Sequence, residues 1–275
     1  MGEIFQLKAG VPQGDVLSPT LYLIMCNDFP NPTRNNQSKN FCHQYADDFT
    51  QVIISKFNTK INNAHKETHI QHVQDEILKQ NTFDKTWKIT TNMNKFQIIH
   101  IGVKIMPPVH IQNTIIPHTT TAKLLGLKFS NYNFFTKQVT SNVNRAKAEL
   151  KNLYKFKHIN WKLKLRLYKA LVLPLLTYPI VPLNACSKAQ VKKLQTVQNK
   201  AIKWICNEYW PTICPLQQRH EDLKLEFLND RIKRLAEGVW YRILEENANF
   251  IQETMELLTQ NPHTWFPSSY MATFN

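Results

Sequence analysis

Two aspartates stand side by side in Tyr45-Ala46-Asp47-Asp48, with aromatic and β-branched residues on either side. Adjacent carboxylates repel one another, and a nearby cation relieves the repulsion. Mg2+ suits such a pair because it takes hard oxygen ligands, commonly one or two carboxylates completed by phosphate oxygens and water. A solvated Asp-Asp turn explains the same four residues. The tetrapeptide alone leaves both readings open.

A metal-holding pair must sit on a rigid bend, and the neighbouring sequence predicts one. Residues 41–45 and 49–55 read as two short strands around residues 46–48, a hairpin pattern. Upstream, two of only six glycines bracket Gly10-Val11-Pro12-Gln13-Gly14. Scarce glycine marks places where the backbone needs positive φ or close approach by another group. Pro12 stiffens this turn, and the Gln13 amide can both donate and accept. Residues 16–29 then predict a helix, with Ser18 as N-cap, Pro19 as first helical residue, and Leu21, Ile24, Met25 and Asp28 at helical spacing. Residues 31–40 read as a polar loop.

Farther on, residues 62–85 predict a polar helix with Val73, Ile77 and Leu78 inward. Residues 96–103 and 124–129 read as strands, joined through Pro107, Pro108 and Pro117. From about residue 136 the pattern becomes helical. Val139, Val143, Ala146, Leu150 and Leu153 form one stripe. Further helices are expected over 162–173, over 188–206 with Val191, Leu194, Gln198, Ala201, Ile202 and Ile205 inward, and over 223–246. Residues 262–275 are expected to be poorly ordered. The class is thus mixed α/β (α+β) to about residue 130, then all-helical.

The 275 residues carry 34 Lys and Arg against 20 Asp and Glu, a formal net charge of +14, and 43% are hydrophobic. That excludes a disordered chain and points to a polyanionic partner: nucleic acid first, an anionic membrane surface second. Cys26, Cys42, Cys186, Cys206 and Cys214 are odd in number and form no C-x-x-C pair, which argues against a disulfide framework and a zinc knuckle. Free thiols, no signal peptide and no transmembrane run together predict an intracellular protein of cytoplasm or nucleus. The most apolar run, 171–183, is broken by Pro174, Pro179 and Pro182 and is too short to cross a bilayer.

The residues from Ala9-Gly10-Val11-Pro12-Gln13-Gly14 to Ser18-Pro19, then Tyr45-Ala46-Asp47-Asp48, then Trp87-Lys88-Ile89 with Asn92 and Lys95, then Leu124-Leu125-Gly126-Leu127, follow one order. It resembles motifs B, C, D and E of reverse transcriptases. Leu167-Tyr168-Lys169, Pro174, Tyr178, Leu194-Gln195 and Gln198-Asn199-Lys200 resemble the thumb of jockey-type non-LTR retrotransposon polymerases, so the likeness covers roughly residues 1–215. It implies a partial right-hand polymerase palm with a hairpin active site over 1–130, a helical thumb over 131–215 and a helical tail over 216–275.

The resemblance also implies roles. Asp47 and Asp48 would hold Mg2+, or Mn2+ in its place, and two such ions activate a 3′-hydroxyl and stabilise the leaving pyrophosphate. Pro12, Gln13, Gly14 and Tyr45 would line the path of template and incoming nucleotide, and Lys95 would face phosphate. The partners implied are an RNA template, a DNA primer and deoxynucleoside triphosphates, with no membrane. Two positions depart from the family: Asp15 stands where serine is usual, and Phe96 where a small hydroxyl residue is usual. The family's motif A, which supplies another metal-binding aspartate, its fingers and any endonuclease domain would precede residue 1. The expectation for the chain by itself is little or no polymerase activity.

Residues 145–169 carry Arg145, Lys147, Lys151, Lys155, Lys157, Lys162, Lys164, Arg166 and Lys169 against Glu149 alone, with Tyr154, Phe156, Trp161 and Tyr168 interleaved. These cations are expected to grip a nucleic-acid backbone without sequence preference. The aromatics could stack on bases, though at helical spacing they more often pack inward. His65, His69 and His72 share one helical face and could bind zinc, but the order H-x-E-x-H is not the metalloprotease motif, and a solvated polar helix fits better. Two alternatives to a polymerase remain: a non-catalytic nucleic-acid-binding module from a decayed or domesticated transposon copy, and an unrelated basic helical scaffold.

Overall fold

In the computed structural model the described residues are 14–30, 38–45, 48–55, 62–92, 95–101, 106–111, 114–131, 135–207 and 215–246. The chain divides into two compact units, residues 1–120 and 121–275.

The first unit opens with helix α1, Ser18–Asn27. Its N-cap is Leu17 and not the expected Ser18, because Asp15 Oδ1 already accepts from the Leu17 amide at 3.3 Å and starts the turn one residue earlier. Strands β1 (Ser38–Tyr45) and β2 (Asp48–Ser55) pair antiparallel, with Tyr45 opposite Asp48 and Asn40 opposite Ile53. The first strand is three residues longer than predicted, because Asn40 turns inward and its Nδ2 lies 2.9 Å from His72 Nε2. Helix α2, Asn63–Trp87, starts at a capping box made by Asn62 and His65 and ends at Lys88 in the left-handed conformation. Ile70, Val73, Ile77 and Phe83 are its buried apolar side chains, whereas Leu78, expected inside, is exposed.

The predicted strand over 96–103 does not form among its described residues. Ile98 makes a single parallel bridge to His118, and Phe96 and Ile98 pack on the small core of α2. The proline-rich connection instead holds a short hairpin, β3 (Val109–Ile111) against β4 (Thr114–Ile116), whose Val109, Ile111 and Ile116 complete that core.

The second unit begins with a hairpin where one strand was expected: β5 (Thr121–Leu124) and β6 (Leu127–Ser130) fold about Leu125 and Gly126. Both residues have positive φ, 46° and 84°, as a tight two-residue turn demands. Glycine accepts this readily and leucine does not, so Leu125 needs holding. Tyr178 Oη donates to the Leu125 carbonyl at 2.6 Å, and Asn142 Nδ2 donates to the Tyr178 carbonyl at 2.7 Å.

Helix α3 (Thr136–Leu153) buries the whole predicted stripe. After a 3-10 turn, Tyr154–Phe156, comes α4 (Trp161–Leu167), a π-helical stretch Tyr168–Val172 and α5 (Leu173–Thr177). Pro174 explains the wide turn: it has no amide hydrogen to complete the α ladder, and the backbone widens just before it. Helix α6, Ile180–Asn184, follows. Helix α7 (Lys188–Ile205), capped by Ser187 and Gln190, buries all six predicted stripe residues. The last predicted helix, 223–246, is α9 (Leu228–Glu246), which starts five residues later than expected; a short helix not predicted, α8 (Leu216–Asp222), precedes it, and Lys224 takes positive φ between them. One continuous core joins α3, α5, α6, α7 and α9. No helix among the described residues is long and apolar enough to cross a membrane.

Candidate functional site

The hairpin that carries the acidic pair is fastened on both flanks. On one side Gln51 Nε2 donates to Glu76 Oε2 at 2.9 Å, and Asn40 meets His72, so α2 holds both strands. Glu76 is buried and also takes Lys79 Nζ at 2.7 Å. Burial, and secondarily the charge of Glu76, push the Cys42 thiol on β1 up to about 11, which keeps it neutral. Phe29, just after α1, packs on Phe49 of β2 with ring centroids 4.6 Å apart and on Phe83 of α2 at 4.9 Å. Gln44 Nε2 donates to Tyr22 Oη of α1 at 2.6 Å. These contacts place the β1–β2 end beside α1, whose first turn follows Gly14.

Asp48 is the first residue of β2, opposite Tyr45, and both side chains are exposed. The pairing leaves two residues, 46 and 47, to connect the strands. Asp47 lies outside the described residues, as do Pro12 and Gln13. Gly14 has φ +90°, with nothing among the described residues within 4 Å of where a Cβ would sit. Its conformation, and not crowding, is what calls for glycine. Lys95 is exposed, with its backbone amide bonded to the Asn92 carbonyl at 3.0 Å.

The histidines of α2 do not converge. His65 caps the helix, His72 meets Asn40, and His69 lies edge-on to His100 at 6.0 Å. His100 in turn stacks on His118 at 4.6 Å. Burial first, and then the neighbouring imidazoles of His118 and His69, draw the His100 pKa down to about 4. Among the described residues no three His, Cys, Asp or Glu side chains are arranged to hold a metal ion.

In the second unit Arg145, Lys147, Lys151, Lys155, Lys157, Lys162, Arg166 and Lys169 are all exposed. Lys164 is the exception and corrects the expected set. It is fully buried, its Nζ donates to the Trp204 carbonyl at 3.3 Å and to Asn207 Oδ1, and it lies 5.4 Å from the Trp204 ring centroid. The ammonium therefore caps the C-terminal end of α7, where cations are favoured, and burial draws its pKa down. Tyr168 is also fully buried.

The basic surface extends beyond the predicted stretch. Lys188, Lys192, Lys193, Lys200 and Lys203 of α7 are exposed as well. The signal was available in the sequence: residues 150–207 contain eleven lysines and one arginine and no aspartate or glutamate.

Residues 2–129 match the family model described as reverse transcriptase (RNA-dependent DNA polymerase). The chain is 28% identical over 234 residues to the probable RNA-directed DNA polymerase from transposon X-element of Drosophila melanogaster, covering 83% of this chain and 25% of that protein. It is 24% identical over 269 residues to the RNA-directed DNA polymerase from mobile element jockey of Drosophila funebris, covering 92% of this chain and 28% of that one. The probable RNA-directed DNA polymerase from transposon BS of Drosophila melanogaster is 25% identical over 243 residues, again with 83% of this chain covered. The chain thus spans about a quarter of the length of the curated relatives it matches. No solved structure matches it. With the motif order, the hairpin and these matches together, residues 2–129 are similar to reverse transcriptases, and most of the chain is similar to the RNA-directed DNA polymerases of these transposons.

Proposed function

We propose that this chain supplies the metal-binding hairpin and the duplex-holding helices of an RNA-directed DNA polymerase of a mobile element, adding deoxynucleotides to a DNA primer on an RNA template. The observation that carries the reading is the antiparallel register that sets Tyr45 opposite Asp48 across residues 46 and 47, in a stretch matching the reverse transcriptase model. Residues 1–130 act as partial palm, 131–215 as thumb and 216–275 as helical tail.

The donor chemistry fits Mg2+ or Mn2+. Asp48 offers an exposed hard carboxylate at a hairpin end, and Asp47 adjoins it, a set that suits an ion sharing its coordination with substrate phosphates. When bound, such ions polarise phosphoryl oxygens and lower the pKa of the attacking hydroxyl. The chain's own residues do the positioning. Gly14 lets nucleotide and template approach the start of α1, with Pro12 and Gln13 beside it. Tyr45 flanks the metal ligands, and Lys95 offers an ammonium to phosphate. The exposed cations of α3, α4 and α7 hold the duplex by its phosphates, which makes binding steeply salt-dependent and indifferent to sequence.

Mn2+ binding by the 275-residue chain, with an RNA template annealed to a DNA primer present, tests this, since the chain by itself is expected to extend a primer little or not at all. The expected result is Mn2+ binding that Asp47→Ala abolishes. A second reading, a non-catalytic nucleic-acid-binding module, is favoured by the exposed lysines and arginines of a unit with its own core, in which residues 150–207 hold no aspartate or glutamate. Salt-dependent binding to the primed template with no Mn2+ binding sensitive to Asp47→Ala would select it.

A further inference from the structure

We propose that the corner joining α3 to α4 is a stacking platform for an unpaired nucleic-acid strand, distinct in chemistry from the phosphate-gripping faces around it. The inference rests on reading the second unit as a nucleic-acid-holding module and names a further ligand for it.

Tyr168, Leu176, Leu183 and Leu194 of this unit are fully buried, and Tyr178 and Tyr241 stand exposed singly, far apart in sequence. At the α3–α4 corner three aromatic rings stand exposed together. Tyr154 is 45% exposed, Phe156 52% and Trp161 45%, all within eight residues of sequence. Exposed apolar surface concentrated at one spot marks an interaction site more often than chance. Between and beside the rings stand Lys155, Lys157 and Lys162, all exposed.

The corner is rigid. Leu150 and Leu153 bury the last turn of α3. Tyr154 is set edge-on against Trp204, centroids 6.4 Å apart and planes at 86°. Asn160 Oδ1 accepts from the Lys162 amide at 2.9 Å and caps α4, which fixes Trp161 at the first helical position. Lys162 Nζ lies 5.8 Å from the centroid of the Trp161 ring. Rings held this way lose little freedom when something stacks on them, which favours binding.

Charge chooses the occupant. With no acid from residue 150 to 207, the surroundings attract a polyanion. A duplex hides the faces of its bases and can engage only the lysines. An unpaired strand offers both phosphates and base faces, and each ring–base stack strengthens binding regardless of sequence or sugar. Alternating cations and exposed rings match that ligand.

Fluorescence anisotropy with the full chain decides it, using labelled oligo(dT) and oligo(U) about twelve nucleotides long and a hybrid duplex as separate ligands. Removing both protruding rings with Phe156→Ala and Trp161→Ala is expected to weaken single-strand binding about a hundredfold, roughly tenfold per ring. Duplex affinity and the salt slope of duplex binding should stay within about twofold. The pair Phe156→Tyr and Trp161→Phe, which keeps aromatic faces, should restore single-strand binding and exclude a folding defect. Equal losses on duplex and single strand, no loss on either oligonucleotide, or loss on only one sugar type would overturn the platform. So would ring-dependent sedimentation with phosphatidylserine vesicles in place of oligonucleotide binding. A wild-type chain that binds neither duplex nor single strand sinks the underlying reading too, whereas duplex binding with unaffected single-strand affinity sinks the platform alone.

Discussion

The two units solve opposite problems. Residues 121–275 enclose a core of five helices, in which Leu176, Leu183, Leu194, Val197, Ala201 and Leu228 have no exposure. Residues 1–120 carry the acidic hairpin on a smaller cluster, Ile70, Val73, Ile77, Val109, Ile111 and Ile116, and hold the hairpin with hydrogen bonds and two aromatic contacts. There α1 leaves apolar residues outside: Leu23 is 68% exposed and Ile24 57%. The part proposed to hold nucleic acid is consolidated and basic. The part that would do chemistry is lightly packed, and its stability hangs on individual contacts.

Core truncation should expose that contrast most strongly. Leu194→Ala removes a fully buried side chain from the helical core and is expected to destabilise the second unit by about 3 kcal/mol. Leu23→Ala in α1 should change stability by less than about 0.5 kcal/mol. Urea unfolding followed by circular dichroism measures both, and similar values would erase the distinction. Next in size is Phe29→Ala. Its ring bridges β2 and α2, and its loss should cost about 2 kcal/mol locally. Hydrogen exchange should then quicken in β1, β2 and α2 while α7 stays protected.

The legibility of the sequence follows the same divide. The stripes of α3 and α7 were readable because a long amphipathic helix writes its burial as a period. The β1–β2 hairpin was readable because β-branched runs flank a polar bend. The misreadings fall where partners come from far along the chain. Leu124-Leu125-Gly126-Leu127 looks like one apolar strand, and the turn inside it depends on Tyr178, more than fifty residues away. Phe96 and Ile98 look like strand residues, but they serve the α2 core without a ladder. Lys164 looks like one more surface cation until α7 ends against it. The candidate site was proposed from residue types and order alone, while the fastening of its hairpin through Asn40, Gln51 and Phe29 needed the tertiary contacts.

Acid should separate the units by a smaller margin. His100 titrates near 6.5 when unfolded and near 4 when folded, because burial and its imidazole neighbours disfavour the cation. The unfolded chain therefore binds more protons between those values, so stability is complete above about pH 6.5 and declines as pH falls toward 4. Burial likewise depresses His69 and His118, which pull in the same direction. Because His100 is only half-buried, screening should reduce its contribution to about 1 kcal/mol. Exchange in α2 should quicken from pH 7 to pH 5 relative to α7, and His100→Phe should flatten that dependence. A profile equally steep in both helices would remove the assignment.

The smallest effect tests whether buried and exposed lysines of one stretch do different work. Lys147 is exposed on α3 and has phosphate as its proposed partner. Lys147→Ala should lower the slope of log affinity against log salt by about one and leave unfolding unchanged. Lys164 holds the end of α7 from inside. Lys164→Met keeps the stem's packing but removes the ammonium's hydrogen bonds to the Trp204 carbonyl and Asn207 Oδ1, a loss of about 1 kcal/mol. It should lower stability and leave the salt slope where it was. If the slope moved with Lys164 instead, the ammonium would be reaching phosphate, and its place inside the helical core would be wrong.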